Sequence, residues 1–265
     1  MMKNEDFYVS VIVPVYNGEK FLAEAIQNIQ KQNYQPLEII VIDDESTDNT
    51  AEIAAEFKDT IRYIYQTNSG PSAARNRGIR IAQGNVIAFL DVDDLWSDNA
   101  LQLQLECLAA NPSIEIIQGL IQEMHLDTSI TDEDKLIFKP YSKPYYSVNL
   151  GSGIYRKSVF DKVGLFNEKF SDNEDTEWFF RAWKNDIYKY FLKQVTLFYR
   201  KHNTNISLKQ INPANLGLLK ILRTQINMYR QQGNFTTEKF LDLDKFFQYA
   251  GLSSGQTHLN IDEPG

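Results

Sequence analysis

The sequence predicts an α/β fold in which a mostly parallel sheet is covered by helices on both faces. Short β-branched apolar runs alternate with segments of helical period, and several runs end directly in Asn or Asp. With 43% apolar residues in a chain of 265, there is material for a full core.

Val9 to Val13, closed by Pro14, reads as the first strand, and Asn17-Gly18 turns it into a helix with Leu22, Ala25, Ile26 and Ile29 on one face. Leu37 to Ile42 is a second strand ending in Asp43-Asp44, with Ser46 and Asp48 as candidate caps of a helix through Phe57. Ile61 to Tyr65, a helix from Ser72 to Ala82 stopped before Gly84, and a strand from Val86 to Leu90 repeat the unit. A helix from Ser97 to Ala110 halts before Asn111-Pro112, and Ile114 to Gln118 follows as a strand. The pattern loosens between Asp127 and Ser147, a stretch with Pro140, Pro144, Tyr141, Tyr145 and Tyr146 that reads as a loop or an irregular hairpin. It resumes at Gly151-Ser152-Gly153, either a tight turn or a close approach to substrate, with helices near Lys157–Val163 and Glu174–Lys184 and a strand over Val195–Tyr199. Trp178, Phe179, Phe180 and Trp183 have the spacing of helix core. Residues 1–207 form one domain in this reading. Residues 208–265 form an extension, with Leu218, Ile221, Leu222, Ile226 and Tyr229 on one helical face and then a loose tail.

The 27 Lys and Arg against 35 Asp and Glu give a net charge of -8, which argues against a nucleic-acid partner. Cys107 is the single cysteine, so neither an intrachain disulfide nor a Cys-based zinc cage is available, and it reads as core. The polar, acidic start and the lack of a long apolar run predict no leader and no spanning helix, hence a cytoplasmic protein.

Asp91-Val92-Asp93-Asp94 follows an apolar strand, where clustered carboxylates repel one another unless a cation or hydrogen-bond donors compensate. A divalent metal with open positions for phosphate oxygens is the economical partner; a solvated helix-capping turn is the alternative. Asn17, Asp43-Asp44 and this cluster all follow strand ends, where the ligands of such sheets collect.

Four segments, Pro14-Val15-Tyr16-Asn17, Ile42 to Asp48, Asn68 to Gly78 and Phe89 to Asp94, together resemble the family 2 glycosyltransferases of GT-A fold, a Rossmann-like architecture. Gly164 to Glu168, Asn173-Glu174-Asp175 and Tyr199-Arg200-Lys201-His202 continue the resemblance in order, so that it spans about residues 8 to 207. It implies inverting transfer of a sugar from a nucleotide-diphosphate donor, UDP-linked by preference, to an acceptor hydroxyl with Mg or Mn. The acceptor would be a saccharide or a lipid-linked molecule, in polysaccharide or glycoconjugate synthesis. It implies donor contacts from Pro14, Tyr16, Asn17, Asp44, Arg75, Asp91 and Val92. By the same resemblance Asp93 coordinates the metal, Asp91 reaches ribose or metal, and Asp175 is the base; His202, after the last core strand, is placed to ligate the metal or donate to a phosphate, with a surface or packed histidine as the alternative. Tyr16 can pack on a flat base and Asp44 can accept its N–H, with Asp43 as the loop-holding neighbour. Arg75 either complements a diphosphate or pins Asp44 and the metal-binding loop. The acids at Glu174, Asp175 and Glu177 would otherwise serve the helix dipole. His125 and His258 stand in no constellation.

A haloacid-dehalogenase-type phosphatase also carries Asp-x-Asp after a strand, but Leu95 occupies the position of its usual Thr or Val. No G-x-G-x-x-G follows a strand, which argues against dinucleotide binding. A non-catalytic nucleotide-sugar-binding module on the same fold is the remaining alternative. The extension, with Lys220, Arg223 and Arg230, is compatible with peripheral contact at the inner face of a membrane or with a homodimer.

Overall fold

The computed structural model describes residues 7–129, 136–170, 173–202 and 243–251. Strand β1 (Val9–Val15), helix α1 (Leu22–Lys31), β2 (Leu37–Asp44), α2 (Thr50–Glu56), β3 (Arg62–Gln66), α3 (Pro71–Ile81) and β4 (Val86–Phe89) form the first half. Then come β5 (Leu95–Trp96), α4 (Ala100–Ala110), β6 (Ile116–Leu126), β7 (Phe138–Pro140), a 3₁₀ turn at Leu150–Ser152 and β8 (Gly153–Arg156). Helices α5 (Ser158–Val163) and α6 (Glu174–Lys184), strand β9 (Lys189–Lys201) and helix α7 (Leu243–Ala250) follow.

Among the described residues nine strands join one sheet in the order β3-β2-β1-β4-β8-β6-β9-β5, with β7 paired to β6. The first four are mutually parallel, as their strand–helix–strand connections require. Beyond them β8 runs antiparallel to β4 and β6, β9 parallel to β6, and β5 antiparallel to β9. Parallel register sets Val15 beside Asp43 and Asp44 beside Gln66, so the acids of β2 and the turn after β1 emerge at the same edge. The Asp-rich turn after β4 emerges there too, because β4 is parallel to β1 with Phe89 opposite Ile12.

Alternation along β1 sends Val11 and Val13 into a core beneath α1, α2 and α4, and Ile12 into a second core beneath α3, α5 and α6. Helix α1 buries Leu22, Ala25, Ile26 and Ile29, the stripe its period predicts. Gly78 brings α3 hard against β1. A Cβ there would lie 2.5 Å from Ile12 Cγ2, so a larger residue would lift the helix off the sheet. Trp178, Phe179 and Phe180 are fully buried, as their helical spacing predicts, and Cys107 packs half-buried against the first core.

Strand β6 is longer than expected: it continues eight residues past Gln118, through polar Gln122 and Glu123, because β9 pairs along it despite register shifts around Leu120. The stretch from Asp127 to Ser147 holds the irregular hairpin that is one of its two readings, with β7 antiparallel to the end of β6 and a bridge between Ile121 and Tyr145. Gly153 serves strand pairing, since a Cβ there would sit 2.7 Å from the Ile117 carbonyl, which favours the tight-turn reading of Gly151-Ser152-Gly153. The helix expected around Leu218 to Tyr229, and the tail, lie outside the described residues. Within the 208–265 stretch, α7 buries Phe246 completely against Phe180 and Phe170, forming a third apolar cluster. No helix among the described residues is long and apolar enough to cross a membrane.

Candidate functional site

The turn after β1 is built first by its neighbours. Asn17 adopts φ 53°, a conformation asparagine tolerates, and its side-chain oxygen accepts from the Thr47 amide at 2.8 Å. The Asn17 amide donates to Ser46 Oγ and the Gly18 amide to Thr50 Oγ1, at 2.9 and 2.8 Å. Asn17 therefore laces the β1 turn to the β2 turn. Pro14 is half-buried opposite Ile42, and Tyr16, 51% exposed, stands open at the edge. Val92 lies against Gly18, where a Cβ would be 3.2 Å from Val92 Cγ2, so the β1 and β4 turns touch.

Asp44 is only 5% exposed. Its carboxylate accepts from Gln66 Nε2 and from the Ser69 and Gly70 amides, between 2.7 and 2.9 Å, tying the end of β2 to the loop that opens α3. Asp43 accepts from the Ser46 amide and the Tyr63 hydroxyl. Both acids thus hold loops, a role the sequence assigned to Asp43 alone.

Arg75 is 7% exposed and divides its guanidinium between two acids, Asp91 at 2.8 Å and Glu174 at 2.7 Å. Burial works against its charge, but the attraction of Asp91 and then Glu174 outweighs it and raises the pKa above the usual arginine value. Of the two structural tasks foreseen for Arg75, pinning the Asp-rich loop holds; the one toward Asp44 falls to Gln66 and the 69–70 amides, while Arg75 reaches Asp91 and Glu174. Through Arg75, the turn after β4 is linked to the start of α6.

Asp93 and His202 lie 109 positions apart, and the fold sets Oδ2 3.1 Å from Nε2. The imidazole is held against the Phe21 ring at 4.6 Å and meets the Phe138 edge at 6.4 Å. Arg200 organises this corner. Its amide donates to Asp94 Oδ1 at 2.9 Å, its Nε donates to the Asp93 carbonyl, and Nη1 reaches Glu24 at 2.5 Å. Burial first, then the charges of Asp93 and Asp91, push the Asp94 carboxyl well above the ordinary range, so Asp94 is a buried anchor. Among the described residues no group of three His, Cys, Asp or Glu side chains is arranged to hold a metal. The Asp93–His202 pair offers one hard oxygen and one imidazole nitrogen, so a cation there would draw its other ligands from a donor's phosphates and water. That donor set fits a divalent cation bound jointly with a diphosphate.

Asp175 sits in the first turn of α6, half-buried, with Oδ1 accepting from the Thr176 amide at 2.6 Å. Burial, followed by the charge of Glu174, pushes its pKa up to about 7, while the Thr176 amide and Arg75 pull the other way. A carboxyl poised there suits proton transfer near neutrality. Glu174, the neighbouring acid, is spent on Arg75. At the opposite edge of the sheet a cavity of about 640 Å³ is lined by Phe7, Asn85, Arg156 and Lys157. There Arg156 and Lys157 donate to the backbone carbonyls of Ile114, Leu108 and Ala82, which leaves the acid-lined edge as the chemically equipped one.

The family model "Glycosyl transferase family 2" matches residues 10–163, more than half the chain. The chain belongs to glycosyl transferase family 2. A glycosyltransferase of Rickettsia typhi is 31% identical over 92% of this chain and 80% of its own length. Glycosyltransferase GlyA of Streptococcus pneumoniae is 34% identical over 64% of this chain and 22% of its own. Among solved structures, S. aureus TarS in complex with UDP-GlcNAc superposes with a TM-score of 0.62 and 21% identity, covering 82% of this chain and 64% of that one. Mannosyltransferase PcManGT of Pyrobaculum calidifontis, in complex with GDP-Man and Mn2+, gives 0.64 and 18%, covering 83% and 64%. These likenesses carry the GT-A fold, and the family membership makes the protein a glycosyltransferase with a nucleotide-sugar-binding fold.

Sequence reasoning passed over three residues of this glycosyltransferase. Arg200 lies inside the quoted Tyr-Arg-Lys-His run, and a basic residue two positions before a histidine at a strand end was the available signal. Glu174 was weighed only as an acid, not as the partner of Arg75, because 99 positions separate them. His125 does stand in a constellation: its Nε2 lies 2.7 Å from Glu123 Oε1 and its ring lies flat on Tyr141.

Proposed function

We propose that this glycosyltransferase inverts the anomeric centre as it moves a sugar from a nucleotide-diphosphate donor, a UDP-sugar by preference, to an acceptor hydroxyl in polysaccharide or glycoconjugate synthesis. The observation that carries the reading is the buried Arg75, which joins Asp91 of the Asp-rich turn to Glu174 beside Asp175. The pairing supports the reading because it ties the Asp-rich turn to the helix start that carries the proposed base.

Tyr16 packs on the base, and Asp44 accepts a base N–H at its remaining lone-pair position, a carboxylate having about four such positions. Pro14, Asn17 and Val92 shape the walls of this pocket. Asp93 and His202 would hold Mg or Mn with Asp91 beside them, and the cation when bound neutralises charge on the leaving diphosphate. Arg200 fixes the backbone of Asp93, and Arg75 keeps Asp91 oriented. Asp175 removes the acceptor proton as the hydroxyl attacks from the face opposite the diphosphate.

The test is incubation of the purified protein and Mn2+ with a panel of nucleotide sugars, reading binding and donor hydrolysis. Binding and turnover confined to UDP-sugars are expected. Turnover with another nucleotide would move the base reading, and binding without turnover for any donor or acceptor would favour a non-catalytic binding module.

A further inference from the structure

Of the six large exposed apolar or aromatic side chains among the described residues, Ile137, Tyr141 and Tyr145 lie within nine positions of one another, around β7. Tyr141 is 68% exposed, yet its ring is fixed: His125 stacks on it with centroids 3.7 Å apart and planes 3° from parallel. His125 is held in turn by Glu123. The Glu123 carboxylate also receives Lys201 Nζ at 3.0 Å and the Tyr145 hydroxyl at 3.1 Å, and Lys139 pairs with Asp127 at 2.6 Å nearby on the hairpin. An aromatic ring is thus braced on one face, open on the other, and rimmed by a carboxylate, an ammonium and a phenol.

We propose that Tyr141, with His125, Tyr145, Glu123 and Lys201, forms a subsite for a sugar ring of a saccharide acceptor; this rests on the glycosyltransferase reading above. A pyranose has a C–H face that packs on an aromatic ring and a rim of hydroxyls that both donate and accept, and this surface offers the complement of each. A ring already locked in place loses little conformational freedom on binding. The cluster and the donor side share the ends of the same strands but take opposite faces of them, since His125 pairs with Lys201 and Lys139 while Met124 pairs with Arg200 and Leu126 with Phe138. β9 delivers Lys201 to this cluster and the next residue, His202, to Asp93, while Phe138 of β7 lies over Arg200 and against His202. A saccharide seated on Tyr141 would pass around these strand ends to the reaction centre, as the part of the acceptor beyond the sugar being modified.

The probe is an array of defined neutral and anionic oligosaccharides, presented to the protein with UDP and Mn2+, followed by titration of the best-bound glycan. Wild type is expected to select one glycan class, Tyr141→Ala to weaken that glycan about three- to tenfold, and Tyr141→Trp to keep it. UDP affinity, read in parallel by calorimetry, separates loss of the subsite from loss of the fold. Wild-type glycan affinity in Tyr141→Ala, or no glycan bound by wild type, overturns the proposal. Failure of the glycosyltransferase reading would show differently, as no UDP or nucleotide-sugar binding in wild type whatever the array reports.

Discussion

Replacing Asp175 by Asn keeps the shape of the side chain and removes its capacity to take a proton. With the carboxyl pKa at about 7, its charged share rises about tenfold between pH 6 and pH 8, so turnover by wild type should climb by that factor and then level off. The groups that set this pKa are the Glu174 and Arg75 charges and the Thr176 amide, with the Tyr155 hydroxyl close by on β8. Asp175→Asn should lower turnover by about 10²- to 10⁴-fold, flatten the pH profile and leave UDP affinity unchanged. Glu174→Gln removes the charge that adds to burial in raising this pKa, so its profile should keep the rise but move it to lower pH. The folded state also holds the Asp175 proton more tightly than the unfolded chain, whose carboxyl titrates near 4. The favourable contribution is therefore present below about pH 4 and is lost as pH rises through about 7. Relative to wild type, Asp175→Asn should accordingly melt higher at pH 8 than at pH 5. Initial rates from pH 5.5 to 8.5 with a working acceptor, with melting curves across the same range, test both halves. Turnover that survives in Asp175→Asn but collapses in Glu174→Gln with UDP affinity intact would show that Glu174 is the base. Wild-type turnover in both variants would reduce this helix start to a cap.

Asp93→Asn should stay folded and lose most of the metal-dependent part of the rise in melting temperature that UDP with Mn2+ produces; an undiminished metal-dependent shift would remove Asp93 from the metal site. Asp44→Ala should weaken UDP with or without metal, as calorimetry would show, and should also destabilise the fold by about 1–3 kcal/mol because the Ser69 and Gly70 amides lose their acceptor. Arg75→Met leaves Glu174 and Asp91 without their partner, and a loss of about 3 kcal/mol by urea denaturation is expected, at the low end for broken buried pairs because the Asp91 side chain is 39% exposed. A loss below about 0.5 kcal/mol would mean that Arg75 is not the brace described.

The legible parts of the fold were those in which local pattern and tertiary context agree. Helix α6 runs from Glu174 to Lys184 as the sequence reads it, and the apolar stripe of α1 is the buried one. Strands β1, β2 and β4 announce themselves through β-branched runs buried on both faces, and the acids at their ends mark the site edge. The sequence reading shortened β6 and β9, because Gln118-Gly119 and Lys193-Gln194 interrupt hydrophobic runs that pairing in space carries across. Contacts that depend on distant partners were equally hidden. Nothing near Arg75 announces Glu174, nothing near His125 announces Tyr141, and the loading of the Asp44 carboxylate depends on a loop more than twenty positions away.

Helix α7 has a consequence for how the protein is made. Its Phe246 rings against Phe180 and Trp183 at 5.1 and 5.7 Å, on the helix whose first turn carries Asp175. It also brings Tyr249 over Lys189, whose ammonium is enclosed by that ring together with Phe179 and Phe191. Roughly 60 residues separate the end of α6 from the start of α7, which at about 5–20 residues per second is several seconds of synthesis. During that interval Phe180 and Trp183 lack the Phe246 ring that packs on them. The packing of the helix that bears the proposed base is therefore completed on this side only late in synthesis.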